Sequence, residues 1–546
     1  MFNKKVRMAL SILLASVLCA GTLMSGCSKK AEQKDTPAAT SASASNGKIS
    51  DKERTITVLM TDSPTQPLKN YAPAQQEIFK KTNIKLDYQI VPSSNYTDKK
   101  NILLASNNMP DIAYVTNSDV AQYGPTGVFM PLKKYIDKMP NFKKFYDQYD
   151  DMKKALVGDE LYALQVVARD ETANGFGPVI RTDLLKKNNL PTPTTFDELL
   201  DTLTKLKKIY PDSKPWTGRK GTNQLLATTS YMLGSGFGSN TGDGLYYDFD
   251  VDGGKYIYGP ASKDFKNVLS FLNKAYKAGV LDPDFATTTA EQFDSKMSSG
   301  KSLFFIDNSG FCLNYTKSLK KTDPDAKTQA IPYLKNSKGQ RRAMAYATTL
   351  ADRFYAINGK VKDPDTVIKF MDWMYGKEGS DISNYGVEGT SFKYNANKEP
   401  EFIKEYVDKF KSATPSTYYA IFSDMGITKL NFSLWAGNTK ETNDIEKLAG
   451  NWDNDSDEYW KLMEKENGKD GAFKQPITDP ALTSQDAEKV KKLKLDLQTM
   501  LTQEYNKYII GVEPIDNWDK VIQQEEKLGV RDLEKIYNDA NAKYKK

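Results

Sequence analysis

Hydrophobic and polar residues begin to alternate near residue 54. Arg54 to Met60 alternates and then becomes apolar, as a strand entering a buried sheet does. The segments that follow predict a helix over Ala72 to Thr82, a strand over Ile84 to Val91, a helix over Tyr96 to Ser106 and a strand over Met109 to Val115. This order predicts an α/β fold with a parallel sheet covered by helices.

A second α/β series starts after Pro191 and Pro193 break the chain. Thr195 is followed three residues later by Glu198, a capping box that opens an amphipathic helix. Asp252-Gly253 between two Tyr-rich runs predicts a β-hairpin. The other predicted elements are strands at Leu161 to Val167 and Gly177 to Arg181, and helices at Thr182 to Asn188, Ser262 to Ala278 and Asp486 to Tyr508.

The N-terminus has the order of a secretory signal. Lys4, Lys5 and Arg7 precede an apolar run that ends in small residues and Cys27. A transmembrane helix is the alternative, but the run is short for a bilayer of about 30 Å. Leu23-Met-Ser-Gly-Cys27 resembles the lipobox of bacterial lipoproteins, which implies that residues 1–26 are removed and that Cys27 carries lipid. Residues 27–54, small and polar, are predicted to be a flexible tether.

Length and composition indicate how many lobes the chain forms and argue against some partners. About 490 residues follow the tether, too many for one ordinary core, so at least two lobes are expected. The net charge is only +6 and its residues are interspersed, so no nucleic-acid partner is indicated. Of the three cysteines only Cys312 remains as a thiol in the mature chain, which excludes an intrachain disulfide.

The chain contains no histidine, and this removes the commonest catalytic base and imidazole metal sites. Ser295 replaces the first glycine that a P-loop ending in Gly300-Lys301-Ser302 would need. A pair of carboxylates among the 70 acidic residues still leaves a glycan hydrolase or lyase possible. The sequence therefore predicts that the protein is not an enzyme and has no cofactor. The glycan hydrolase or lyase stays open as an alternative.

Two acidic segments begin like calcium loops. After Asp248-Phe-Asp250-Val-Asp252, Gly259 stands where a bidentate Glu is needed, so a hairpin turn is the better interpretation. Asp453-Asn-Asp-Ser-Asp457 reaches Glu464 at the right spacing, but Glu458 replaces the required glycine. We interpret that segment as an Asp-rich helix start and predict no metal site.

Several short motifs occur in one order along the chain. Together they resemble the family 1 extracellular solute-binding proteins of ABC importers, within a long Gram-positive lipoprotein branch related to maltose- and alginate-binding proteins. The motifs are Leu103 to Ile112 (LLASNNMPDI), Leu190 to Leu199 (LPTPTTFDEL), Ala278 to Phe285 (AGVLDPDF), Phe293 to Phe305, Tyr385 to Thr390 (YGVEGT) and Tyr508 to Trp518 (YIIGVEPIDNW).

The resemblance implies a two-lobed periplasmic-binding-protein type II fold with a cleft, a hinge and a helix-rich C-terminal extension. We expect residues 55–167 and 300–350 in lobe 1, and residues 168–299 and 351–546 in lobe 2. The predicted crossings lie near Val166 to Asn174, Asp294 to Ile306 and Thr348 to Tyr355.

Sugar recognition needs aromatic faces for stacking and planar polar groups for hydroxyls. By position against the family, or by their loop-like surroundings, the candidates are Tyr114, Asn117, Arg169, Asp170, Trp216, Tyr231, Asn308, Phe311, Glu388 and Trp435. Core packing is the alternative for the aromatic residues, and an interlobe ion pair is the alternative for Arg169 with Asp170.

The resemblance implies a monomeric extracellular lipoprotein, anchored to the membrane of a bacterium, that delivers an oligosaccharide to the membrane subunits of an ABC importer. Two alternatives stay open. One is a binding protein for a peptide or another polar solute, and the other is a lipid-anchored glycan hydrolase or lyase.

Overall fold

A computed structural model describes residues 47–62, 67–92, 95–168, 176–219, 221–222, 225–226, 228, 244–248, 251–344, 350–413, 416–427, 434–435, 439–468, 473–474 and 477–544. The strands of this part of the chain are Arg54–Asp62 (β1), Ile84–Pro92 (β2), Ile112–Val115 (β3), Leu164–Ala168 (β4), Phe176–Arg181 (β5), Leu245–Asp248 (β6), Lys255–Tyr258 (β7), Phe304–Asn308 (β8), Thr328–Ala330 (β9), Ala343–Met344 (β10), Leu350–Ile357 (β11), Phe392–Tyr394 (β12), Pro400–Phe402 (β13), Leu434–Trp435 (β14) and Phe473–Lys474 (β15).

The helices alternate with these strands. They are Pro73–Thr82 (α1), Tyr96–Ala105 (α2), Asn117–Tyr123 (α3), Pro140–Gln148 (α4), Thr182–Lys187 (α5), Phe196–Ile209 (α6), Phe265–Lys277 (α7), Ala290–Ser298 (α8), Phe311–Leu319 (α9), Pro364–Tyr375 (α10), Lys377–Tyr385 (α11), Lys404–Val407 (α12), Thr417–Met425 (α13), Thr439–Leu448 (α14), Asn454–Gly468 (α15), Ser484–Ile510 (α16), Trp518–Leu528 (α17) and Val530–Ala542 (α18).

The first lobe is built on a six-stranded sheet in the order β14-β4-β11-β3-β1-β2. β1, β2 and β3 are parallel, β11 is antiparallel to its two neighbours, and β4 and β14 therefore run in the same direction as β3. Alternate β1 residues Ile56, Val58 and Met60 are fully buried in the core beneath α1 and α10. The strand-helix-strand opening predicted from the alternation is confirmed.

The second lobe contains a three-stranded sheet in the order β8-β5-β9, in which β5 is antiparallel to both neighbours. The predicted hairpin is present as β6 and β7. Thr195 accepts a hydrogen bond from the Glu198 backbone amide and begins α6 as predicted, but the Glu198 carboxylate bonds Thr194 instead of closing the box on Thr195. The Asp-rich segment begins α15, where the Asp453 carboxylate accepts from the Ser456 amide.

The C-terminal helices α16, α17 and α18 complete the core of the second lobe. Leu493, Leu497 and Leu501 recur every four residues on α16 and share one hydrophobic cluster with α7. The Trp518 indole is fully buried between the Phe265 and Tyr505 rings, and its Nε1 donates to the Pro260 carbonyl at 3.2 Å. The helix-rich extension expected from the family is thus part of lobe 2.

The strand pairing corrects the predicted lobe boundaries. β8 pairs with β5, so residues 304–308 stay in the second lobe instead of returning to the first. β11 lies between β3 and β4 in the first sheet, and the described residues after it, up to α14, pack in the first lobe. The predicted segment 294–306 is therefore no crossing, and the described residues of 351–448 do not belong to lobe 2.

The described residues indicate three passages of the chain between the lobes. It leaves β4 at Ala168 and enters β5 at Phe176, which agrees with the first predicted crossing. It returns between β10 and β11, close to the predicted Thr348 to Tyr355. The last passage is near Asn451, whose side chain bonds the Lys411 carbonyl in lobe 1 and whose carbonyl accepts from Lys317 in lobe 2.

Candidate ligand-binding cleft

The connections between the lobes join two sheet edges, which we call the cleft edges. In lobe 1 the strands β1, β2, β3, β4 and β14 all end at one edge, because they run in the same direction. In lobe 2 the matching edge is where β5 begins and β8 ends, since Phe176 pairs with Asn308. Ligands of open α/β sheets bind beyond the strand ends, so the side chains that follow these strand ends are the candidate ligand contacts.

Asn117 lies on the lobe 1 cleft edge as the first residue of α3. A capping box formed by Thr116 and Asp119 fixes this helix start, with Thr116 N donating to Asp119 Oδ2 at 2.8 Å. Lys100 from α2 forms a buried ion pair with the same Asp119 carboxylate. Because the carboxylate is bonded from three sides, the N-terminus of α3 is held in one position.

Tyr114, in β3, is half-buried beside two other tyrosines. Its ring centroid lies 5.6 Å from that of Tyr96 and 5.8 Å from that of Tyr355. The Tyr96 hydroxyl donates to the Tyr114 carbonyl at 2.8 Å. Burial raises the pKa of Tyr96 and of Tyr355 well above the ordinary value, so these phenols stay neutral at physiological pH. Ligand contact by Tyr114 stays a prediction.

Asn308 and Phe311 lie on the lobe 2 cleft edge. Asn308 ends β8, and its Oδ1 accepts from the Gly310 amide at 3.1 Å, which shapes the turn into α9. Phe311 is the first residue of α9 and is half-buried, 6.3 Å from the Tyr315 ring. The structure therefore brings both predicted residues to one place, although their contact with a ligand is still a prediction.

Arg219 is a residue of this edge that sequence reasoning missed. Its guanidinium donates to both oxygens of the buried Asp307 carboxylate, at 3.1 and 2.8 Å, and lies 5.1 Å from the centre of the Phe311 ring. The planar fork of arginine suits such a bidentate pair. The pair joins residues 88 positions apart, so no local pattern could have indicated it.

Two candidates are corrected by the structure. Trp216 was expected in an exposed loop, but it is 1% exposed and packs on Phe304 and Phe271. Its flanking Pro215 and Thr217 bond Phe304 as a short bridge, so the segment lies inside the lobe. Glu388 is exposed and lies near Lys81, whose pKa is raised mainly by a hydrogen bond with Glu378 and, least strongly, by the Glu388 charge. Lys81 lies just before the start of β2, at the opposite edge of the first sheet from the cleft.

Three other candidates, Arg169, Asp170 and Tyr231, lie outside the described residues. Trp435 pairs through its backbone with Ala168, directly where the chain leaves β4, and its side chain is outside the described part. These four assignments stay predictions.

A segment near the C-terminus, residues 477–482, also reaches the cleft edge and was not predicted. The Asn117 side chain donates to the Asp479 carbonyl at 2.8 Å, and the Tyr256 hydroxyl in lobe 2 donates to the Asp479 carboxylate at 2.8 Å. Burial and, less strongly, the Asp479 charge raise the pKa of Tyr256 well above its ordinary value.

The described residues contain no group of acidic and cysteine side chains suited to hold a metal ion. Burial raises the pKa of the Cys312 thiol to about 12, so this cysteine is an inert core residue. Within the described ranges, no helix has the length and apolar character needed to cross a bilayer.

Two lobes joined at sheet edges that carry polar and aromatic side chains define a solute-binding protein, a class whose lobes close around a ligand. The chain belongs to the bacterial extracellular solute-binding protein family, whose model matches residues 61–381. It is similar to the polygalacturonan/rhamnogalacturonan-binding protein YtcQ of Bacillus subtilis, with 25% identity over 408 residues, 72% of this chain and 76% of that protein. Lipoprotein LipO of Bacillus subtilis is 24% identical over 378 residues, 66% of this chain and 73% of that protein.

Solved structures agree on the fold. The alginate-binding protein AlgQ2 without calcium ion superposes with a TM-score of 0.70 at 23% identity, covering 91% of this chain and 99% of that chain. An extracellular solute-binding protein from Bifidobacterium longum subsp. infantis gives 0.73 at 18% identity, covering 91% and 100%. The predicted two-lobed fold and family are thereby confirmed.

Proposed function

We propose that this protein captures an oligosaccharide outside a bacterial cell, in the cleft between its lobes, and delivers it to an ABC importer without chemical change. The observation that supports this most directly is the placement of Tyr114, Asn117, Asn308 and Phe311 on the two cleft edges. Aromatic rings can stack on the apolar face of a sugar, while amide groups bond its hydroxyls. Closure is favoured only if the ligand contacts both edges.

The ligand that we favour is an acidic oligosaccharide containing uronate residues. Arginine supplies only nine of the 76 basic residues, yet four of the nine stand in or beside the segments that join the lobes, namely Arg169, Arg341, Arg342 and Arg353. A fifth, Arg219, lies on the lobe 2 cleft edge. Arg353 precedes Phe354, which pairs with Val115, so Arg353 lies at the level of Thr116 on the lobe 1 cleft edge. Guanidinium groups recognise carboxylates bidentately, and the relative YtcQ is named for galacturonate-containing polysaccharides.

Acidic residues share these segments, among them Asp170, Glu171, Asp307 and Asp352. The proposal therefore depends on the guanidinium as hydrogen-bond donor and not on the net charge of the cleft.

Calorimetry with oligogalacturonides and their methyl esters tests the proposal of an acidic ligand. We expect the ester to bind about tenfold more weakly. Arg353→Gln should weaken binding of the acid about thirtyfold, and Arg54→Gln, whose Nη2 bonds the Lys362 carbonyl away from the cleft, should leave affinity unchanged.

The outcomes separate the parts of this proposal. Equal affinity for acid and ester would contradict the acidic ligand while leaving sugar capture intact. Binding of no saccharide in a panel that includes neutral oligosaccharides would contradict sugar capture and favour a peptide or another polar solute. Shortened products after incubation with a bound oligosaccharide would support the hydrolase or lyase alternative.

We also propose that Cys27 anchors the protein to the outer face of the cell membrane through lipid. The support is the order of charged, apolar and small residues before Cys27, together with a relative named as a lipoprotein. Cys27→Ser should move the protein from washed membranes to the soluble fraction with ligand affinity unchanged, whereas Cys312→Ala should not. A Cys27→Ser protein that stayed with the membrane after residues 1–26 had been removed would contradict the anchor.

A further inference from the structure

Residues 477–482 contact both lobes at once. Leu482 is part of the lobe 2 core that includes Tyr256 and Tyr258, and Ile477 packs against that core. On the other side the Ala481 amide donates to the Lys154 carbonyl of lobe 1 at 2.7 Å, and the Thr478 amide donates to Asp151 at 3.2 Å. This segment is therefore a bridge between the lobes that is separate from the three chain crossings.

Asp479 is the centre of this bridge. Its carbonyl accepts from Asn117 on the lobe 1 cleft edge, and its carboxylate accepts from Tyr256 on β7 of lobe 2. Tyr256 is itself held at its backbone, because the Asn538 side chain of α18 bonds both its amide and its carbonyl at 2.8 Å. A continuous path of hydrogen bonds thus runs from the C-terminal helix α18 to Asn117.

We propose that Asp479 is a positioning residue for the ligand cleft. It holds the Asn117 amide in the orientation that a sugar meets and restrains the angle between the lobes. The C-terminal helices thereby set how far the cleft opens. The role of Asn117 rests on the proposed function, whereas the restraint on the lobes does not.

Removing either end of the carboxylate link should have the same effect. Asp479→Ala and Tyr256→Phe each delete the bond between Asp479 and Tyr256, and each should weaken ligand affinity about fivefold through faster dissociation. The double variant should be no weaker than the weaker of the two single variants, because both substitutions remove the bond between Tyr256 and Asp479. Tyr276→Phe in α7 and Asp496→Ala on the exposed face of α16 are matched controls that should bind as the unaltered protein does.

A measurement without ligand tests the restraint independently. Spin labels at Ile102→Cys in lobe 1, 64% exposed, and Ile209→Cys in lobe 2, 46% exposed, report the distance between the lobes in a Cys19→Ser, Cys27→Ser background with Cys312 buried. We expect a broader distance distribution in Asp479→Ala and Tyr256→Phe than in the two controls. A distribution of unchanged width would overturn the proposal, even if no sugar were ever found to bind. A broader distribution with unchanged sugar affinity would overturn the positioning of Asn117 alone.

Discussion

The two lobes hold their cleft edges in different ways. In lobe 1 the edge is formed by strand ends and one helix N-terminus, and the Thr116, Asp119 and Lys100 bonds fix the backbone. In lobe 2 the edge is fixed through side chains, because Asp307 holds Arg219 against the Phe311 ring. Lobe 2 also depends on helices from the far C-terminus for its core. Substitutions in the two lobes should therefore lower the stability of the protein by different amounts and for different physical reasons.

The largest expected effect tests the dependence of lobe 2 on the C-terminal helices. Trp518→Ala should lower the free energy of unfolding by about 4 kcal/mol, because a fully buried indole and its hydrogen bond to Pro260 are lost. Denaturant unfolding followed by circular dichroism measures this loss. Trp373→Ala is the control, since Trp373 in lobe 1 is only partly buried on Phe370 and its Nε1 bonds the exposed Glu378. Equal losses for the two tryptophans would argue against this account of lobe 2.

The next effect concerns the backbone edge of lobe 1. Asp119→Ala should destabilise the protein by about 3 kcal/mol, because it leaves Lys100 as a buried charge without its carboxylate and removes the cap of α3. The same substitution at Asp147, whose pair with Lys143 is exposed, should cost under about 0.5 kcal/mol. If thermal denaturation gave similar melting temperatures for the two variants, the network would not be what fixes this edge.

The smallest effect, counted per pH unit, is a pH dependence that arises in lobe 2. Glu525 in α17 is 0% exposed, neither carboxyl oxygen has a hydrogen-bond partner among the described residues, and burial raises its pKa to about 8. Between about pH 4.5 and pH 8 the Glu525 carboxyl is therefore protonated in the folded state but ionised in the unfolded state, where its pKa has the ordinary value near 4.5. Stability should therefore fall by about 1.4 kcal/mol per pH unit from roughly pH 5 to pH 8, and Glu525 should add no further loss above that range.

Glu525→Gln should remove this slope, because an amide carries no proton to release. Urea unfolding at four pH values in that interval measures the effect. Glu526→Gln, one residue later and exposed, should keep the slope of the unaltered protein. A Glu525→Gln protein that lost stability just as steeply would mean that the slope arises elsewhere.

Local patterns predicted most elements and several cleft residues for a physical reason. Alternation marks strands, and parallel strands end at one edge, so residues after Val115 and Ile306 could be placed without knowing the full topology. Trp216 was misplaced because its Pro and Gly neighbours also occur in loops, while the bridge that buries it needs Phe304 from a distant segment. Three features depend on contacts between residues far apart in sequence, which no local pattern encodes. They are the position of β8, the pair of Arg219 with Asp307, and the contacts of residues 477–482.

The place of β11 in the first sheet has a consequence for how the protein is made. β11 lies between β3 and β4, yet it begins at Leu350, long after Ala168 ends β4. A chain exported from its N-terminus must therefore present β4 before the strand that joins it to the sheet has emerged. The core of lobe 2 is completed later still, because it contains Trp518, which follows β11 by more than 150 residues. Neither lobe is a continuous stretch of sequence, so the protein matures only when nearly all of it has left the cell, and the interval before that exposes unpaired strand edges to chaperones and proteases.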